Sequence, residues 1–174
     1  MNYFEFYGIP VSFRIDEAAL RRTYYRNSKQ YHPDFHTLSG EGQQADMLEL
    51  ATQNNEAYQT LSDPDKRMRY ILKIKGLLED ESKLSLPQEF LMDMMEINET
   101  LMELEFEYDP ERLATVEHSV ENLENNLEKA IQPVLNNYTE QQGTQANLQM
   151  VLDFFLKKRY LLRVRENLSK FAPQ

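Results

Sequence analysis

Along this chain of 174 residues, aromatic and aliphatic positions recur at steps of three and four, the spacing of helices that bury one face. Residues 2–9 read as one short aromatic-rich helical turn, closed by Gly8 and stopped by Pro10. A helix is predicted from its N-cap Asp16 to Tyr31, with Leu20, Tyr24, Asn27 and Tyr31 on a single face. Pro33 disfavours helical geometry at His32, so the helix must end there. After a polar loop holding Gly40 and Gly42, a second long helix is predicted from about Gln43 to Leu61. Its apolar positions are Met47, Leu50, Ala51, Ala57, Tyr58 and Leu61, and the two helices should pair as an antiparallel hairpin. Ser62-Asp63-Pro64 then starts another helix by a cap-then-proline signal, and Ile71, Leu72 and Ile74 carry it to Gly76.

Residues 77–87 contain Glu79-Asp80-Glu81-Ser82-Lys83 and end at Pro87, the composition of a short connection. Leu77, Leu78, Leu84 and Leu86 predict that it packs down instead of swinging freely. Three more helices follow by pattern: Gln88–Glu107, Asp109-Pro110 to Asn137, and about Gln145 to Phe171. In the middle one Leu113, Val116, Val120, Leu123, Leu127 and Val134 form one apolar stripe. Short connections make these helices antiparallel neighbours. The expected architecture is all-α, with a helical hairpin and short flanking helices over 1–76, a linker over 77–87 and a three-helix bundle over 88–174.

The first bundle helix carries more apolar residues than one stripe needs. Phe90, Met94, Ile97, Leu101 and Leu104 already make a complete core-facing seam. Leu91, Met95 and Met102 fall about 100–140° round the wheel, and Met92, Glu96, Glu99 and Glu103 lie beside them at about 180–240°. From Glu89 to Glu111 there are nine acidic residues and no basic one. Such a face is either covered by the linker and the first half of the chain, or it is a protein-binding patch. Methionine-rich surfaces adapt to irregular partners, and a carboxylate rim steers a basic one. Burying Glu96, Glu99 and Glu103 against the neutral first half would strip their hydration with no cation in return, so the patch is the expected reading.

Charge sharpens this division. The net charge is −10, yet residues 1–76 hold ten basic and ten acidic side chains, and residues 77–174 hold nine basic and nineteen acidic. Nucleic-acid binding is therefore disfavoured, because neutralising phosphates needs a net basic surface. No apolar run approaches 18 residues and no charged-then-apolar leader is visible, so neither a membrane span nor a signal peptide is expected. The absence of cysteine excludes disulfides and thiolate ligation of zinc or an iron–sulfur cluster, and is compatible with a cytoplasmic location. No nucleophile–base pair or phosphate-binding glycine loop is present, so no intrinsic catalysis and no resident cofactor are expected.

The remaining chemistry sits at the end of the first long helix. Arg22, Tyr25, Arg26 and Lys29 share its outer face, and His32, Pro33 and Asp34 follow on the loop, together a docking surface. A metal site on His32, Asp34 and His36 is the competing reading, and Pro33 with the lack of any strand-like run argues against it.

Tyr31-His32-Pro33-Asp34, followed by Glu56-Ala57-Tyr58-Gln59-Thr60-Leu61-Ser62-Asp63-Pro64, Lys66-Arg67 and Tyr70, resembles the J-domain family over residues 1–76. The resemblance implies that the helix and loop engage a DnaK-type ATPase chaperone. Phe90-Leu91-Met92, Met95-Glu96 and Glu99 after Arg67-x-x-Tyr70-x-Leu72-x-x-x-Gly76, with Phe155-Leu156-x-Lys158 further on, resembles the HscB family of iron–sulfur cluster co-chaperones. That likeness implies an HscA- or DnaK-type ATPase as one partner and an IscU-type scaffold protein as the other. Its scaffold-contacting set here would be Leu91, Met92, Met95, Glu96, Glu99, Glu103 and Phe155. Two departures stand out: Phe35 replaces the usual lysine after His-Pro-Asp, and Asn54 replaces an apolar core residue, which is expected to weaken the hairpin. The alternative within the same class is a general J-domain protein whose acidic bundle binds other clients.

Overall fold

A computed structural model describes residues 1–171. These form seven α-helices: α1 Tyr3–Tyr7, α2 Glu17–Tyr31, α3 Glu41–Leu61, α4 Pro64–Ile74, α5 Gln88–Phe106, α6 Pro110–Asn137 and α7 Gln145–Ser169. Single 3-10 turns occur at Pro33–Phe35 and Glu81–Lys83. The all-α expectation holds, and the ends are set by local chemistry. Asn2 and Glu5 close a reciprocal capping box on α1, and Gly8 leaves it at φ 66°, a left-handed conformation that suits glycine. Asp16, Asp63 and Thr144 cap α2, α4 and α7 with side-chain oxygens. Helix α3 begins two residues before the predicted Gln43, with Glu41 in its first turn.

The chain divides into two compact units, Met1–Gly76 with Tyr138–Gly143, and Leu77–Asn137 with the chain from Thr144 onward. Within the first, Leu20 and Asn27 of α2 are buried, and Tyr24 stacks on Tyr58 of α3 at 4.3 Å between ring centroids, as the predicted face requires. Asn54 is not a packing defect. It is 1% exposed, and all its bonding capacity is used. Its Oδ1 accepts from the Tyr7 hydroxyl (2.8 Å) and the Asn27 amide (3.3 Å), and its Nδ2 donates to Tyr24 O and Ser28 Oγ. The sequence reading erred because it weighed a buried polar group without seeing its partners. Arg67, also buried, donates to the carbonyls of Phe13 and Leu61, which fixes the start of α4. Tyr138 sits edge-on to Phe13, and Lys75 pairs with Glu140 at 2.6 Å. A Cβ at position 143 would run into the Tyr138 ring, so the loop needs Gly143.

In the second unit Phe90, Met94, Leu101 and Leu104 of α5 meet Leu113, Val116 and Val120 of α6 and Leu161, Val164 and Leu168 of α7, with Ile97 half-buried beside them. The predicted seam of α5 is thus the bundle core. The stripe of α6 departs from prediction near its end: Ile131 and Leu135 are buried, and Val134 only half so. Helix α5 is about 28 Å long and α6 about 42 Å, so the last third of α6, which holds Ile131, Val134 and Leu135, has no α5 beside it. Leu78 is buried and Leu86 packs on the bundle core, so residues 77–87 do pack down.

Candidate docking sites

The His-Pro-Asp loop is built by a helix end. His32 leaves α2 in extended geometry (φ −62°, ψ 133°), as Pro33 demands, and the 3-10 turn Pro33–Phe35 follows at once. The His32 Nδ1 accepts from the Asp34 backbone N–H at 3.2 Å and lies 3.6 Å from the Asp34 carboxylate. The loop is therefore held by its own backbone, while His32, Pro33 and Asp34 stay exposed. His36 turns away, with Nε2 bonded to the Gln30 carbonyl at 2.8 Å. Among the described residues no group of three or more His, Cys, Asp or Glu is arranged to hold a metal ion. Arg22, Tyr25, Arg26 and Lys29 are all exposed on the outer side of α2. Sequence reasoning missed Phe35 as a surface feature. Its ring is exposed and stands edge-on to His32, so the loop presents an aromatic face where a lysine was the expectation.

The second face of α5 lies open. Leu91 is 41% exposed, Met92 63% and Met95 61%, with Glu96, Glu99 and Glu103 exposed beside them. Glu103 is not a free carboxylate: Arg112 of α6 pairs with it at 2.7 Å. Phe155, on α7, is half-buried, and the Arg159 guanidinium lies 5.4 Å from its ring centroid. Arg159 also reaches Glu81 at 3.7 Å. Tyr160 of α7 meets α5, edge-on to Phe90 and accepting from the Asn98 amide at 2.8 Å. The Lys157 ammonium lies over the Phe90 ring. These apolar side chains thus project from two helices joined through Tyr160, and Arg159 is a cation that the sequence set did not contain.

No described helix is long and apolar enough to cross a membrane. Comparison with known families matches residues 2–70 to the DnaJ domain and residues 86–169 to the HSCB C-terminal oligomerisation domain. A co-chaperone protein HscB homolog of Vibrio cholerae is 36% identical over 112 residues, 64% of this chain and 66% of that one. Its counterpart in Paraburkholderia phymatum is 38% identical over 101 residues, 58% of each. The matched stretches thus span less than two thirds of the relatives' own length. Over full length, the structure of chaperone HscB from Vibrio cholerae aligns with a TM-score of 0.63 at 27% identity, covering 98% of this chain and 96% of that one. The crystal structure of human co-chaperone protein HscB shares the fold, with a TM-score of 0.68 over 97% of this chain and 81% of its own, at 24% identity.

Proposed function

The chain belongs to the HscB family of J-domain co-chaperones, and from that premise we propose that it couples two partners and performs no chemistry itself. The bundle holds an IscU-type iron–sulfur scaffold protein through Leu91, Met92, Met95, Glu96, Glu99, Glu103 and Phe155. The J-domain presents Arg22, Tyr25, Arg26, Lys29, His32, Pro33 and Asp34 to an HscA- or DnaK-type ATPase and stimulates its ATP hydrolysis. We assign it to the cytoplasm. The observation that carries this reading is the open methionine-and-carboxylate face of α5 on the same chain as an exposed His-Pro-Asp loop. Apolar side chains held in water beside a charged rim are the surface of a binding protein. Glu96 and Glu99 have no ion-pair partner among the described residues and are free to orient a basic one.

The test uses the purified full chain, the scaffold protein and the ATPase. Binding of the folded scaffold should be tighter than binding of a permanently unfolded protein, and together chain and scaffold should accelerate ATP hydrolysis. His32→Gln should abolish acceleration without lowering the melting temperature, because the side chain is exposed and makes one local bond. Preference for the unfolded protein would instead indicate a general client-binding J-domain protein.

A further inference from the structure

The apolar edge of α5 does not stop at Met95. Met102 is 61% exposed and Phe106 92%, and both continue the line of Leu91 and Met95 at steps of four, seven and four. On a helix that line stays within about 60° and runs about 22 Å, and its two apolar pairs are about 10 Å apart. Glu99 sits between them, exposed. Tyr108 is half-exposed in the turn that follows, flanked by the exposed Glu105, Glu107 and Asp109. Beside Met102 a cavity of about 390 Å3 opens between α5 and α7, lined also by Asn98, Leu101, Glu105, Asn167 and Lys170. Core packing of α5 is complete without Met102 and Phe106, since Leu101 and Leu104 fill the seam at that level.

A phenylalanine almost wholly in water is unfavourable for the free protein. Four large apolar residues on one line, in two exposed pairs with Glu99 between them and carboxylates beside them, form an edge of the kind that marks a protein interface. We propose that the docking face runs the whole length of α5, and that Met102, Phe106 and Tyr108 form a second anchor for the basic partner that seats on Leu91 and Met95. This rests on the scaffold-binding reading above. The partner then carries apolar groups about 10 Å apart along one side, with Lys or Arg residues facing Glu99, Glu105 and Glu107. Self-docking of two α5 faces is disfavoured, because each would bring its carboxylates against the other's.

The test is calorimetric titration of the IscU-type scaffold protein into the full chain and two double variants, Leu91→Ala/Met95→Ala and Met102→Ala/Phe106→Ala, with the melting temperature of each. Both pairs should weaken binding about tenfold or more, as removal of an apolar anchor does, with melting temperatures unchanged. Weakening by the first pair alone would overturn the second anchor and leave the scaffold reading standing. Weakening by neither would overturn both. A fall in melting temperature for the Met102/Phe106 variant would make those residues structural and overturn the proposal. Sedimentation showing self-association that Phe106→Ala abolishes would assign the edge to a second copy instead and overturn it as well.

Discussion

The Tyr7 hydroxyl donates to Asn54 in a buried site, and burial, with Tyr24 and Tyr58 nearby, pushes its pKa well above the ordinary tyrosine value. Tyr3 and Tyr70 are raised as well, chiefly by burial. Each folded pKa exceeds the unfolded one, so the neutral hydroxyls contribute stability that is complete below pH about 10 and lost as pH rises through the folded values. Urea midpoints should therefore be flat near neutrality and fall above pH about 10, and Tyr7→Phe should flatten that fall. A midpoint that climbs with alkali would contradict the assignment. Asn54→Leu restores the apolar residue that the family resemblance suggests, yet it removes the side-chain acceptor of Asn27 and leaves Tyr7 only the Asn54 backbone carbonyl, at 3.2 Å. We expect it to destabilise by about 1–3 kcal/mol for each buried polar group left unpaired, measured by urea unfolding. A variant as stable as the parent would mean that the network contributes nothing. Neither side chain announced this in the sequence, where Tyr7 and Asn54 lie 47 residues apart and nothing signals their bond.

At the scale of one element, α5 has a buried face and an open one, and substitutions on the two should differ in their effect on stability. Phe90→Ala and Leu101→Ala remove side chains from the closed bundle core and should cost about 2–5 kcal/mol. Met95→Ala removes a mostly exposed side chain and should leave the melting temperature within a degree or two of the parent's. Scanning calorimetry of the three variants decides the matter; equal losses for Met95 and Leu101 would place both in one core. This division was legible in the sequence because the steps of four and three resolve two faces on a single helix. What pattern cannot supply is the pairing of Glu103 with Arg112, which depends on packing between α5 and α6, whereas Arg159 over Phe155 is an i, i+4 pair on α7 that helical spacing allows. The burial of Ile131 and Leu135 in place of Val134 was illegible for a similar reason. It follows from the length of α5, a fact about a different element.

For the molecule as a whole, charge is partitioned: a neutral J-domain with a basic strip on α2, and an acidic remainder. Arg22, Arg26 and Lys29 have no ion-pair partner among the described residues, so they remain available to an acidic surface. Association with the ATPase should slow as salt rises, and Arg22→Glu with Arg26→Glu should slow it beyond either neutral change. Stopped-flow rates indifferent to both would remove the basic strip from the encounter. The grouping of Tyr138–Gly143 with the first 76 residues was not legible, because a six-residue polar turn between two helices gives no sign of what it packs on. That grouping has a temporal consequence. Synthesis runs from the amino terminus, so Phe13 and Lys75 leave the ribosome long before Tyr138 and Glu140 exist. A nascent chain stalled before Tyr138 holds an amino-terminal unit with its last piece still unmade. It should be cut by protease where a chain released beyond Gly143 resists, and equal resistance would show that the late turn is dispensable. The amino-terminal unit, translated ahead of the bundle helices, is finished only after α5 and α6 have been made.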